Sequence, residues 1–180
     1  KGSALIHEML HNLGARFNGR PCHIPTALDR TGTVVHALLS GTYAGGSMDE
    51  VMARDYLAGR YWGAMDSNEE GFWNFETMNL KGEQKDCAVY LSFWLFSPRS
   101  LVNLLLEPNM PRLDLEFAAD DKLAVYVNGN LLDNAVKRQD NPALPQRIEG
   151  IPLEKGWNHV LLKVGQLWGG WNGRFRFIAT

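Results

Sequence analysis

Residues 119–129 read ADDKLAVYVNG, and the parity of this stretch sets the fold class. Leu123, Val125 and Val127 alternate with Lys122, Ala124 and Tyr126. Apolar residues at every second position turn one face of an extended strand toward a core. Asn128-Gly129 follows at once and is a strong signal for a tight hairpin turn. The same grammar recurs on either side. Residues 88–96, AVYLSFWLF, are rich in aromatic and β-branched side chains and are closed by Pro98. Residues 101–106, 113–117, 159–164 and 174–178 complete the set. In the last of these, Phe175 and Phe177 share one side while Arg174 and Arg176 share the other. Several short strands with turns between them predict an antiparallel β-sandwich.

Upstream the texture changes. Residues 3–16 predict a helix, with Ser3 as N-cap and Leu5, Ile6, Met9, Leu10 and Leu13 at helical spacing. Gly14 lies near its end. An irregular stretch with Gly19, Pro21 and Pro25 follows, and residues 33–39 read as a short helix or a strand. Residues 48–57 predict a second helix, with Asp49 and Glu50 in the first turn, where the dipole favours carboxylates. The expected architecture is therefore mainly β: a sandwich over residues 59–180 behind a small helical region over residues 1–58.

Of the 180 residues, 45% are hydrophobic and 21% charged, which suits a folded chain with a real core. A net charge of −2 argues against nucleic acid and anionic membrane surfaces as partners. No apolar run is long enough to span a bilayer. The two cysteines, Cys22 and Cys87, allow either one disulfide or two buried thiols.

Three patches resemble the galactose-binding-like, jelly-roll modules attached to many secreted bacterial enzymes. They are AVYLSFWLFSP at 88–98, ADDKLAVYVNG at 119–129 and IPLEKGWNHVLLKV at 151–164. The resemblance covers about two-thirds of the chain and rests mostly on fold signals, so it does not itself name a ligand. It implies an extracytoplasmic location and, among the functions such modules carry, sugar binding on exposed aromatic platforms. Trp168 and Trp171, set among glycines, are the leading candidates, with Trp73 and Trp62 behind them. Asp120, Asp121 and Asn172 are candidate polar partners, and the paired aspartates also raise calcium as a ligand. Against this stands the tendency of tryptophan to fill cores.

One chemical motif stands near the start: His7-Glu8-Met9-Leu10-His11. On a helix, residues four apart share a face, so His7 and His11 can hold one zinc ion. Glu8 beside them is placed to act as general base on a zinc-bound water. The longer stretch HEMLHNLGARFNG resembles the metzincin peptidase signature, with His7, Glu8, His11, Asn12, Leu13 and Gly14 in register. The resemblance implies a zinc metallopeptidase acting on protein or glycoprotein. The family's third histidine is replaced here by Phe17, which cannot bind zinc, and its aspartate by Asn18. Glu50, His23 and Asp49 stand as alternatives for the third ligand, with Glu50 first because GGSMDEVMARD at 45–55 loosely resembles the ligand helix of gluzincins. Only six residues precede His7, so a cleft-forming sheet is expected from a missing N-terminal portion or from a partner chain.

Two readings stand side by side. One is a zinc peptidase segment with an accessory sandwich. The other is a non-catalytic carbohydrate- or protein-binding module with a degenerate zincin helix. On the peptidase reading, elemental analysis should find about one zinc per chain, lost in His11→Ala. Glu8→Ala should abolish proteolysis and leave the zinc bound. A folded chain without zinc would reduce HEMLH to a relic or a coincidence.

Overall fold

The structure, a computed structural model, describes residues 16–17, 20–21, 27–44, 63–78, 85–101, 112–132, 137–138 and 145–180. In chain order its strands are β1 (Arg16–Phe17), β2 (Arg20–Pro21), β3 (His36–Leu39), β4 (Tyr43–Ala44), β5 (Gly63–Asp66), β6 (Phe72–Asn74) and β7 (Cys87–Ser97). They continue with β8 (Leu113–Ala119), β9 (Lys122–Val127), β10 (Asn130–Leu131), β11 (Lys137–Arg138), β12 (Gln146–Ile148), β13 (Gly156–Gln166) and β14 (Asn172–Ala179). No helix occurs among the described residues. The pairings are antiparallel.

Two sheets enclose one core. The larger runs β10-β9-β13-β7-β3-β5, with β11 also beside β9 and β4 also beside β7. The smaller runs β12-β8-β14-β6. Alternation sorts the side chains as the sequence predicts. Val89, Leu91 and Phe93 from β7, Val160, Leu162 and Val164 from β13, and Leu123 and Val125 from β9 point inward and are buried. Leu115, Phe117, Phe175 and Phe177 meet them from the smaller sheet. Phe93 and Phe177 touch across the gap, edge to face, with centroids 6.1 Å apart. Asn128 and Gly129 take positive φ values of 51° and 83°, forming the two-residue turn between β9 and β10.

The upstream segment departs from expectation. The small helical region finds no support. The predicted helix at 48–57 lies outside the described residues, as does the helix at 3–16 apart from Arg16, which begins β1 instead. Residues 36–39 resolve as strand: β3 pairs with both β5 and β7 and buries Ala37 and Leu39. The larger sheet therefore takes strands from residues expected to belong to a helical unit. Of the helix and strand readings open for residues 33–39, the strand is the one the structure shows over 36–39. Cys87 is buried in the core, and Cys22 lies outside the described residues.

The GWN signature at 156–158 also finds a physical reason. Asn158 is fully buried, and its amide is saturated. Its Oδ1 accepts from the Glu154 amide at 2.8 Å and from Asn128 Nδ2 at 3.0 Å. Its Nδ2 donates to the Glu154 carbonyl at 2.8 Å and the Gly156 carbonyl at 3.1 Å. One side chain thus ties the start of β13 to the β9–β10 turn. Asn158→Ala would remove all four hydrogen bonds of a buried amide, at a cost of about 2–3 kcal/mol. A thermal melt should show a loss of several degrees, and an unchanged melt would contradict this role.

Candidate functional site

Two connections meet at the end of the molecule where β7 begins and β13 ends. Asp120 and Asp121 join β8 to β9, and residues 167–171 join β13 to β14. The Asp120 amide donates to the Asn172 carbonyl at 3.1 Å, and the Asp121 amide to the Gly165 carbonyl at 2.9 Å. Asp121 is buried, and its Oδ2 accepts from the Leu167 amide at 2.7 Å. The Asp120–Asp121 peptide bond is cis. Gln166 Nε2 donates to the Gly169 carbonyl at 2.9 Å, where Gly169 has a φ of +93°, a region that favours glycine. The loop is therefore held at its base by an aspartate and a glutamine.

These anchors separate the two tryptophans. Trp171 is only 1% exposed, packs 5.4 Å from the Phe75 ring and belongs to the core. Its carbonyl accepts from the Phe75 amide. Trp168 sits at the loop tip and is 74% exposed. Asp120 Oδ2 and Asn172 Nδ2 border Gly170, 3.4 and 3.9 Å from where a Cβ there would sit. The loop thus carries an exposed indole at its tip and has a carboxylate and an amide beside Gly170. Burial pushes the Asp120 carboxyl above the ordinary aspartate range, and the charges of Asp121 and Glu76 push the same way.

Of the four expected ligand-binding residues, the structure presents Trp168 and Asp120. Asp121 orders the loop, and Trp171 is a core residue. Trp73 is also fully buried, its Nε1 donating to the Val34 carbonyl at 2.9 Å, while Trp62 lies outside the described residues. The expected zinc residues His7, Glu8, His11 and Glu50, with the alternatives His23 and Asp49, also lie outside them. Among the described residues no group of three or more His, Cys, Asp or Glu side chains is arranged to hold a metal ion. His36 meets Asp66 through Nδ1.

Sequence reasoning missed a second aromatic surface. Trp94 and Phe96 on β7 and Trp157 on β13 are 49%, 49% and 43% exposed on the outer face of the larger sheet. The register sets Trp94 opposite His159 and Phe96 opposite Trp157, with ring centroids 5.0 and 5.4 Å apart. His159 Nε2 and Ser92 Oγ lie 2.8 Å apart, and burial pushes the imidazole below its ordinary range. The signal was present in FWLF at 93–96: if Phe93 and Leu95 face the core, Trp94 and Phe96 cannot.

No family model and no curated protein matches this sequence. Among solved structures, the fold is similar to part of a β-glucosidase from Kluyveromyces marxianus solved in complex with glucose, at 12% identity and a TM-score of 0.46. The match covers 79% of this chain and 16% of that one. A GH26-CBM35 β-(1,4)-mannanase from Podospora anserina matches at 14% identity and a TM-score of 0.35, over 84% of this chain and 28% of that one. The chain thus spans a small part of either protein's length.

The raised Asp120 carboxyl has a measurable consequence. The folded protein holds that proton more tightly than the unfolded chain, so the residue favours folding at low pH and loses that contribution as pH rises. Asp120→Asn should therefore raise the melting temperature slightly at pH 7, and the gain should vanish near about pH 3. Equal melts for variant and wild type at pH 7 would contradict the assigned crowding of charge.

Proposed function

We propose that the sandwich is a non-catalytic carbohydrate-binding module whose binding edge is the loop at 167–172. The observation that carries this is Trp168, an indole held out at 74% exposure on a loop fixed at its base and bordered by Asp120 and Asn172. A pyranose presents an apolar C–H face and a rim of hydroxyls, and an aromatic plane beside a carboxylate and an amide complements both. The resemblance of the three sequence patches to galactose-binding-like, jelly-roll modules points the same way. On this reading the module works outside the cytoplasm, holding whatever accompanies it near a glycan or glycoprotein. No helix among the described residues is long and apolar enough to cross a membrane.

A second reading, docking of a protein partner, is favoured by the patch of Trp94, Phe96 and Trp157, since exposed aromatic clusters are common at such interfaces. The zinc-peptidase reading continues to rest on HEMLH at 7–11 and is decided by metal content.

Trp168→Ala should weaken binding of the recognised oligosaccharide at least tenfold, about 1.4 kcal/mol, without lowering the melting temperature. Isothermal titration after a glycan-array screen measures this. A blank array with an intact fold would overturn the carbohydrate reading. Loss of a captured protein partner in Trp94→Ser alone would favour the second.

A further inference from the structure

The outer face of the smaller sheet continues from the loop edge into a groove of about 180 Å³. Asn172, Arg174 and Arg176 lie at alternate positions of β14 and so share this outward face, about 7 Å apart in succession. The register places Arg174 opposite Ala118 and Arg176 opposite Glu116, with Phe72 on the other side of Arg174. Ala118, a small residue, lines the groove beside Arg174. Phe72, Phe117 and Pro145 complete the lining.

The charges of this face do not close on themselves. Arg147 Nε lies 3.3 Å from a buried Asp114 oxygen. Arg176 Nε is 3.7 Å from Glu116 Oε1, too far for a hydrogen bond, and this buried N–H has no hydrogen-bond partner. Arg174 stacks 5.7 Å over the Phe72 ring, and among the described residues no carboxylate pairs with it. Arg174 without a carboxylate partner, beside a half-exposed Arg176 whose contact with Glu116 is longer than a hydrogen bond, favours an anion reaching their terminal nitrogens. Glu116 in the same lining selects among anions. It repels a doubly charged phosphate more than a singly charged carboxylate, and it accepts hydrogen bonds from hydroxyls. The volume suits one small ring and falls below that of pockets for larger ligands.

We propose that this groove binds the carboxylate of a sugar acid, so that the module recognises an acidic glycan with a uronate residue seated between Arg174 and Arg176. The neighbouring residue of the same chain then lies along Asn172 toward Trp168. The proposal rests on the carbohydrate reading and narrows its ligand class.

The test titrates oligomers of galacturonate, glucuronate and mannuronate, each beside its methyl ester, into the full chain, Trp168→Ala, Arg174→Gln and Arg176→Gln. Esterification removes the charge and keeps the backbone. The wild type should prefer at least one acid form over its ester at least tenfold, with the preference shrinking as salt rises. Arg174→Gln should lose that preference, keep its affinity for the ester and melt like wild type. Equal affinity for every acid and ester pair in the wild type would overturn the proposal while leaving the carbohydrate reading in place. So would a preference that survives both arginine variants, or equal binding of a glutamate oligopeptide. A wild type that binds no acid form, no ester and no neutral glycan would instead overturn the carbohydrate reading and this inference with it.

Discussion

The eleven residues of β7 pair with the eleven of β13 along their whole length, from Gly156 against Ser97 to Gln166 against Cys87. Every other feature depends on that register. A slip of one residue in β13 would turn Val160, Leu162 and Val164 to the outside and Trp157 and Lys163 toward the core. The pairing therefore fixes which side of each strand faces the second sheet. It also sets the two ends of the molecule. At one end Gln166 leads into the loop that carries Trp168. At the other, nine residues and roughly 30 Å away, Trp157 lies beside Phe96.

Much of this was legible because β-structure writes its burial directly into alternation. Phe175 and Phe177 were expected to share a face, and both are buried on it, and Asn128-Gly129 was expected to reverse the chain and does. The tryptophans were less legible. Trp168 and Trp171 sit in one glycine-rich loop and look equivalent in sequence. What separates them is a carboxylate from another turn: Asp121 pins Leu167, and Trp171 then falls back onto Phe75. A contact between residues 46 positions apart leaves no local trace. Asp121 itself was read as a ligand group for the same reason, since its bond to a backbone amide has no sequence signature. The arginine groove was half visible: Arg174 and Arg176 were seen to share a face, but Phe72 and Ala118 reach that face only through pairing with β6 and β8.

On the proposed carbohydrate reading, the loop edge and the groove behind it would use the sandwich as a rigid support for recognition. Its sheets supply rigid positions, and small residues at the right register open space between long polar ones. Asp121 and Gln166 hold the loop before any ligand arrives, so little ordering cost falls on binding. The aromatic surface of Trp94, Phe96 and Trp157 uses the other resource of a sheet, its outer face, and lies toward the opposite end of β13 from the loop that carries Trp168.

The length of the central pairing also bears on how the chain reaches this state. Ser97 must find Gly156 and Cys87 must find Gln166, so the two longest strands meet only after the intervening chain has closed a large loop. Non-local pairing of this kind makes folding slow relative to helical proteins of similar size. Until it is complete, the apolar stretch AVYLSFWLF at 88–96 stands as an unpaired edge rich in aromatic residues, the kind of segment that associates with copies of itself. The register that organises the finished molecule thus leaves its longest apolar strands uncovered until the most distant pairing has formed.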